Sequence, residues 1–158
     1  MISYGLLMYK INNQRLFVFI AHPGGPYFKN KQEGYWTIPK GEPLENENPL
    51  NTAQREFTEE TGILPQSPFI DLGEIKQKGG KRVHAWAFEN NIYVKSITSN
   101  NFTIEWPPRS GKFQSFPEID KADFFTLEEA EQKINPSQLE LLNKLKKIII
   151  ERGYLSLI

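Results

Sequence analysis

The chain has 158 residues, no cysteine and two histidines, and its 19 basic and 19 acidic side chains give a formal charge of zero. Neutrality leaves no general attraction to nucleic acid or to an anionic membrane, and the lack of cysteine excludes disulfides, thiolate metal sites and thiol chemistry. A chain of this length buries about two-thirds of its unfolded surface, which fits one compact domain over residues 1–158. The start, MISYGLLMYK, has no basic region, long apolar stretch or small-residue cleavage site, and no run reaches the length of a membrane span. A soluble cytoplasmic protein with no membrane partner and no stable nucleic-acid partner is the expectation.

In chain order, residues 3–11 and 16–22 are apolar and β-rich, and Asn12-Asn13-Gln14 between them marks a hairpin. Residues 35–39 read as a short strand. Asn48 and Pro49 then make a good helix start, since Asn caps free N–H groups and Pro suits the first helical position. Gly62 is a stop, so a helix of about 49–61 follows, with Leu50, Ala53 and Phe57 on the stripe that must meet a core. Residues 69–77 and 82–94 form a strand pair around the turn Lys78-Gly79-Gly80-Lys81. The polar, proline-bearing stretch 96–112 reads as a long loop. Phe124-Phe125 closes the sheet, a helix begins at 127–133, and 136–152 is a second, amphipathic helix. Its stripe of Leu141, Leu142, Leu145, Ile148 and Ile149 docks on the sheet. This order makes an α/β layer structure with no internal repeat, low-complexity tract or linker.

The chemistry concentrates in residues 41–63. Glu56, Glu59 and Glu60 lie at i, i+3 and i+4, off the core stripe and within reach of one another. Three carboxylates so close repel, and a hard divalent cation with oxygen ligands, Mg²⁺ or Mn²⁺, is the natural counter-charge. Arg55 can hold one carboxylate through its two-pronged guanidinium and fix its direction. Gly41, Glu47, Arg55, Glu56, Glu59, Glu60 and Gly62, with Phe57 and Ile63, complete the spacing G-x5-E-x7-R-E-U-x-E-E-x-G-U, where U is bulky and apolar. Chance supplies that pattern in roughly one chain per million or fewer.

This segment resembles the Nudix box, the signature of hydrolases that cut nucleoside diphosphates linked to another group. The resemblance implies a Nudix fold, with a mixed sheet between helices. It also implies a backbone carbonyl offered to the metal by the glycine turn at Gly41, beside Glu56, Glu59 and Glu60, while Glu47 supports the loop and Arg55. The segments HPGGP (22–26), WTIPKG (36–41), KGGKRVHAW (78–86) and EWPPRSGK (105–112) look most like the bacterial group related to diadenosine polyphosphate and nucleoside triphosphate pyrophosphohydrolases. In that group the lysine of PKG lies beside the phosphate chain, and Lys40 matches it. A further glutamate often comes from a loop beyond the box, six residues before an aromatic that leads into an L-E-E-A-like helix start. Counting back from Phe124 gives Glu118, and Glu105 in the long loop is the competitor.

Arg82, Arg109 and Lys112 are further candidates for phosphate contact. Tyr27, Tyr35, Trp36 and Trp106 lie near expected loops, where stacking on a base contributes about 1 kcal/mol or more. Of these, Tyr27 and Trp106 are the leading pair, whereas Trp86 and Phe88 are assigned to packing, and His22 and His84 to strands with satisfied hydrogen bonds. The expected reaction is in-line attack of water on a phosphoanhydride, with two or three divalent ions and with Glu59 or Glu118 as the base. A dinucleoside polyphosphate such as diadenosine tetraphosphate leads as substrate. An intact or oxidised nucleoside triphosphate, the 5′ end of RNA, and a nucleotide-binding module without turnover are the alternatives.

Overall fold

A computed structural model describes residues 1–153, so the end of the 1–158 span expected above lies outside the described residues. The chain opens with two long strands, β1 (Ile2–Asn12) and β2 (Arg15–Pro23). They pair antiparallel, with Tyr9 opposite Val18 and Ile11 opposite Leu16. The two residues between them, Asn13 and Gln14, both have positive φ, as a two-residue hairpin turn demands.

The remaining strands are β3 (Lys40–Gly41), β4 (Ile70–Lys76), β5 (Arg82–Glu89), β6 (Asn101–Glu105), β7 (Phe113–Pro117) and β8 (Ile119–Thr126). The main sheet runs β4-β5-β1-β2-β8, with β3 also beside β1, while β6 and β7 form a separate hairpin. β1 and β5 run parallel and the other pairs antiparallel, so the sheet is mixed. A parallel pair needs a long crossover, and here the crossover carries helix α1 (Pro49–Thr61).

Alternation along the strands gives each face its own core. Leu6, Met8, Phe19 and Phe88 meet Ala53 and Phe57 of α1. Leu7, Tyr9, Val18, Ile20, Val83, Ala85 and Ala87 face the opposite way. There they meet Leu127 and Ala130 of α2 (Leu127–Lys133) and Leu141, Leu142, Leu145 and Ile149 of α3 (Leu139–Glu151). This is the Nudix arrangement expected from the sequence, a mixed sheet between helices. Burying Phe57, whose ring stands edge-on to Phe88 at 5.3 Å, contributes about 1.5–3 kcal/mol and seats α1 on the sheet. Among the described residues no helix is long and apolar enough to cross a membrane.

Four expectations need correction. Residues 96–112 are not wholly loop, because β6 lies within them and pairs Phe102 with Phe116 and Ile104 with Gln114 of β7. Residues 35–39 make only isolated bridges, Thr37 with Ala21 and Trp36 with Ile134, and the paired strand is Lys40–Gly41. The strand expected over 82–94 ends at Glu89, after which Ile92, Val94 and Ile97 fold over the α1 face. The strand holding Phe124 and Phe125 begins earlier, at Ile119.

Candidate active site

The site is built outward from α1. Asn48 Oδ1 accepts hydrogen bonds from the Leu50 and Asn51 N–H groups at 2.9 and 3.3 Å, and Pro49 takes the first helical position. The helix ends at Gly62, which sits at φ 78° and donates its N–H to the Thr58 carbonyl. With both ends fixed and Phe57 in the core, the register of the glutamates is fixed as well.

Arg55 gathers the loop before the helix and the helix itself. Its guanidinium donates to Glu47 at 2.8 and 2.9 Å, to Glu56 and Glu59 at 3.0 Å each, and to the Glu42 carbonyl at 3.1 Å. Glu47 also accepts from the Leu44 N–H at 3.0 Å and the Thr52 hydroxyl at 2.7 Å. Hydrogen bonds from Arg55, then from Leu44, hold the Glu47 carboxyl down at about 2. Glu47 is thus committed to the loop and to Arg55.

Glu56 and Glu60 meet Glu118 from the far end of the chain, each offering an oxygen, and these oxygens all lie within 4.8 Å of one another. Glu60 is only 7% exposed, and its Oε2 has no hydrogen-bond partner. Burial first, and then the charges of Glu56 and Glu118, push the Glu60 carboxyl up to about 9. Burial also raises Glu56 and Glu118. A buried carboxylate oxygen without a donor, inside a set of hard oxygen ligands that repel one another, fits Mg²⁺ or Mn²⁺.

Glu118 is brought there by the backbone. Asn100 donates its N–H to the Glu59 carbonyl at 2.8 Å and accepts the Glu118 N–H at 2.8 Å, so one residue ties the end of α1 to Glu118. The Glu118 carbonyl accepts the Gly24 N–H at 2.8 Å. Asn100 was not singled out from the sequence, because a backbone bridge leaves no residue-type signal. Glu105 lies elsewhere, with its carboxylate closing its own turn onto the Arg109 N–H at 2.8 Å. Glu59 stays outside the three-carboxylate group, half-exposed on Arg55, although its charge helps to raise Glu56 and Glu118.

Gly41 pairs with Tyr4 across β1 and β3, and a Cβ there would overlap the Glu56 carboxyl, so a side chain at this position would push that carboxyl aside. Neighbouring Lys40 is held below its usual range, chiefly by burial, against the opposing attraction of Glu60. Lys81, a second cation near enough to lower Lys40, was missed in the sequence. Arg82 ion-pairs with Glu74 at 3.4 Å, and Arg109 and Lys112 lie on the exposed turn between β6 and β7.

Beside the cluster, one residue along the chain from Glu118, opens a cavity of about 500 Å³. Loop residues Gly25, Pro26, Lys29 and Asn30 line one side, and Trp106, Gln114, Phe116, Pro117 and Asp120 the other. Tyr27 and Trp106 meet edge to face, with ring centroids 5.2 Å apart. Two glycines let the loop come close: a Cβ on Gly24 would strike the Pro117 carbonyl, and one on Gly25 the Phe102 ring. Trp36 is core instead of loop surface, 4% exposed and edge-on to Phe125 at 5.1 Å, while Tyr35 stays exposed. Phe88 is buried, and Trp86 packs partly against that core with the His84 ring stacked on it at 4.3 Å. His84 and His22 both have partners, Asp71 at 2.7 Å and Asp120 at 2.8 Å.

Residues 3–145 match the NUDIX domain, and the chain belongs to the Nudix family. With its box intact it is a pyrophosphohydrolase of that family. No curated protein matches it in sequence. Among solved structures it is similar to a C. elegans Ap4A hydrolase in a binary complex, with TM-score 0.65, 19% identity, and 95% of this chain and 98% of that one covered. The NUDIX domain of Shewanella oneidensis NrtR complexed with ADP ribose gives TM-score 0.65 at 13% identity, covering 94% and 88%. A mutT/nudix family protein from Listeria innocua gives 0.62 at 20% identity, covering 98% and 97%.

Proposed function

We propose that this protein hydrolyses a phosphoanhydride bond of a dinucleoside polyphosphate, with diadenosine tetraphosphate as the leading substrate. The observation that carries the reading is the meeting of Glu56, Glu60 and Glu118 around an orphaned carboxylate oxygen. Glu56, Glu60, Glu118 and the Gly41 carbonyl would hold Mg²⁺ or Mn²⁺, with Glu59 at the margin. Two or three divalent ions held there would supply charge neutralisation for the phosphates and a lowered pKa for the attacking water.

The chain's own groups do the rest. Arg55 keeps Glu56 and Glu59 aimed. A carboxylate oxygen of Glu118 or Glu59 takes the proton from water as it attacks phosphorus in line. The Lys40 ammonium stabilises charge on the phosphate oxygens, with Arg82 and Arg109 as further phosphate contacts. Tyr27 and Trp106 contact a base. The likeness to a C. elegans Ap4A hydrolase supports the choice of a dinucleoside substrate, and the cavity beside Glu118 supports binding of a nucleoside. The NrtR NUDIX domain, similar in fold, is complexed with ADP ribose, which supports nucleotide binding, and a module that binds without turnover is the second reading.

The test is incubation with diadenosine tetraphosphate, ATP and 8-oxo-dGTP, each with Mg²⁺ and with chelator, followed by chromatography of the products. Metal-dependent formation of ATP plus AMP, with the triphosphates intact, is expected. Preference for a triphosphate would replace the substrate. A nucleotide that raises the melting temperature but is never consumed would establish the binding module.

A further inference from the structure

The cavity beside the cluster has walls of unequal character. Trp106, Phe116, Pro26 and Pro117 offer flat apolar surface, whereas Asp120 and Gln114 bring polar groups from the strand side. Asp120 owes its place to an irregularity in the sheet. β8 pairs Lys121 with His22 and Ile119 with Pro23, which leaves Asp120 as the extra residue of a bulge. Bulges re-aim side chains, and this one turns a carboxylate of β8 toward the cavity.

A buried clamp then fixes its direction. His22 is fully buried at the end of β2, and its Nδ1 lies 2.8 Å from Asp120 Oδ1. Its Nε2 lies 2.5 Å from the Lys31 carbonyl, so neither the ring nor the loop after it can turn freely. Asp120 thereby uses one oxygen on His22 and keeps the other for a ligand. Gln114 is oriented in the same sense: its Nε2 donates to the Trp106 carbonyl at 3.0 Å, and its Oε1 remains as an acceptor. The strand side therefore presents acceptors, Lys29 and Asn30 bring polar groups from the loop, and Trp106 and Phe116 suit a stacked ring.

Resting on the reading that a nucleotide occupies this site, we propose that the cavity holds its base and that Asp120, aimed by His22, selects a base bearing an amino group. The amine donates to the free oxygen of Asp120, and Gln114 Oε1 is a second acceptor on the same edge. Asp120 is a specificity-determining residue in this assignment, and His22 a positioning residue that acts through it.

AMP and purine riboside 5′-monophosphate stack alike and differ only in the amino group. Calorimetric titration of the full chain with each, in Mg²⁺, should show AMP binding about tenfold tighter, the worth of one hydrogen bond to a charged acceptor. Asp120→Asn should bring the two within about threefold, and Trp106→Ala should weaken both alike. Gln114→Leu leaves the His22 clamp intact and should narrow the preference about threefold, a readout that survives if Asp120→Asn misfolds. Equal binding by the unaltered protein, or a preference unchanged in Asp120→Asn or Gln114→Leu, would overturn the assignment. The readout needs no turnover. Discrimination with every polyphosphate left intact would sink the hydrolase reading and keep the base site, and hydrolysis without discrimination would do the reverse.

Discussion

The box helix meets Glu118 and the cavity is lined by its chain neighbour Pro117, but the two regions are built by opposite means. α1 and its loop form one contiguous stretch in which Asn48, Pro49 and Gly62 set the ends and Arg55 binds four neighbours within 13 residues of itself. The cavity is assembled from the loop after β2, the β6–β7 hairpin and the first residues of β8, with His22 reaching 98 residues along the chain to Asp120. The first region stores electrostatic cost in buried carboxylates. The second is held by close approach at two glycines, by aromatic edges and by the His22–Asp120 clamp. On the proposed reading, chemistry that must be the same for every anhydride would sit in the local element, and selection among bases would fall to the long-range one.

Substitutions sharpen this contrast. Glu60→Gln should lower Mg²⁺-dependent turnover by about 10³-fold while the circular dichroism spectrum stays unchanged, and near-normal turnover would remove Glu60 from the machinery. Arg55→Lys keeps the charge but loses the fork, so turnover should drop about 10–100-fold, seen in kcat more than KM.

The pH dependence of stability separates the regions next. Glu60 has an ordinary value of 4.5 and is pushed up to about 9 in the fold, so folding favours its protonated form. Its contribution is fully present below pH 4.5 and is lost as pH rises toward 9. Metal-free protein should therefore lose about 1–3 kcal/mol of stability over that window, measured by denaturant titration at each pH. Glu60→Gln should flatten the slope, and a slope equal in both proteins would place its origin elsewhere. The smallest effect belongs to the cavity: Gly25→Ala, at φ +92° and against Phe102, should raise KM about threefold with kcat retained. A fall in kcat instead would show that the two regions are not separable.

Legibility followed the same division. The limits of α1 could be read because its cap, first-turn proline and terminal glycine are adjacent residues with known preferences. Glu118 was reached only by counting back from Phe124, and nothing in the local sequence indicates that Asn100 would tether it. The β6–β7 hairpin was lost within an apparent loop because its outward positions are polar and only Phe102, Ile104, Glu105 and Phe116 are partly buried. That alternation, Phe102 to Ile104, was the available signal. β8 was shortened for a related reason: Asp120, Lys121 and Asp123 interrupt its apolar residues, and its bulge breaks the alternation. The clamp between His22 and Asp120 could not be read at all, since pairing at that separation exists only once the sheet has formed.

The parallel pairing of β1 with β5 also has a consequence for how the protein is made. A nascent chain that has emerged through β5 already carries the whole box on a helix it can seat. It still lacks the third carboxylate and one wall of the cavity, which arrive with β7 and β8. Synthesis thus delivers the reactive element first and completes it last, so hydrolytic competence should appear abruptly with β8 and not grow with the length of chain made.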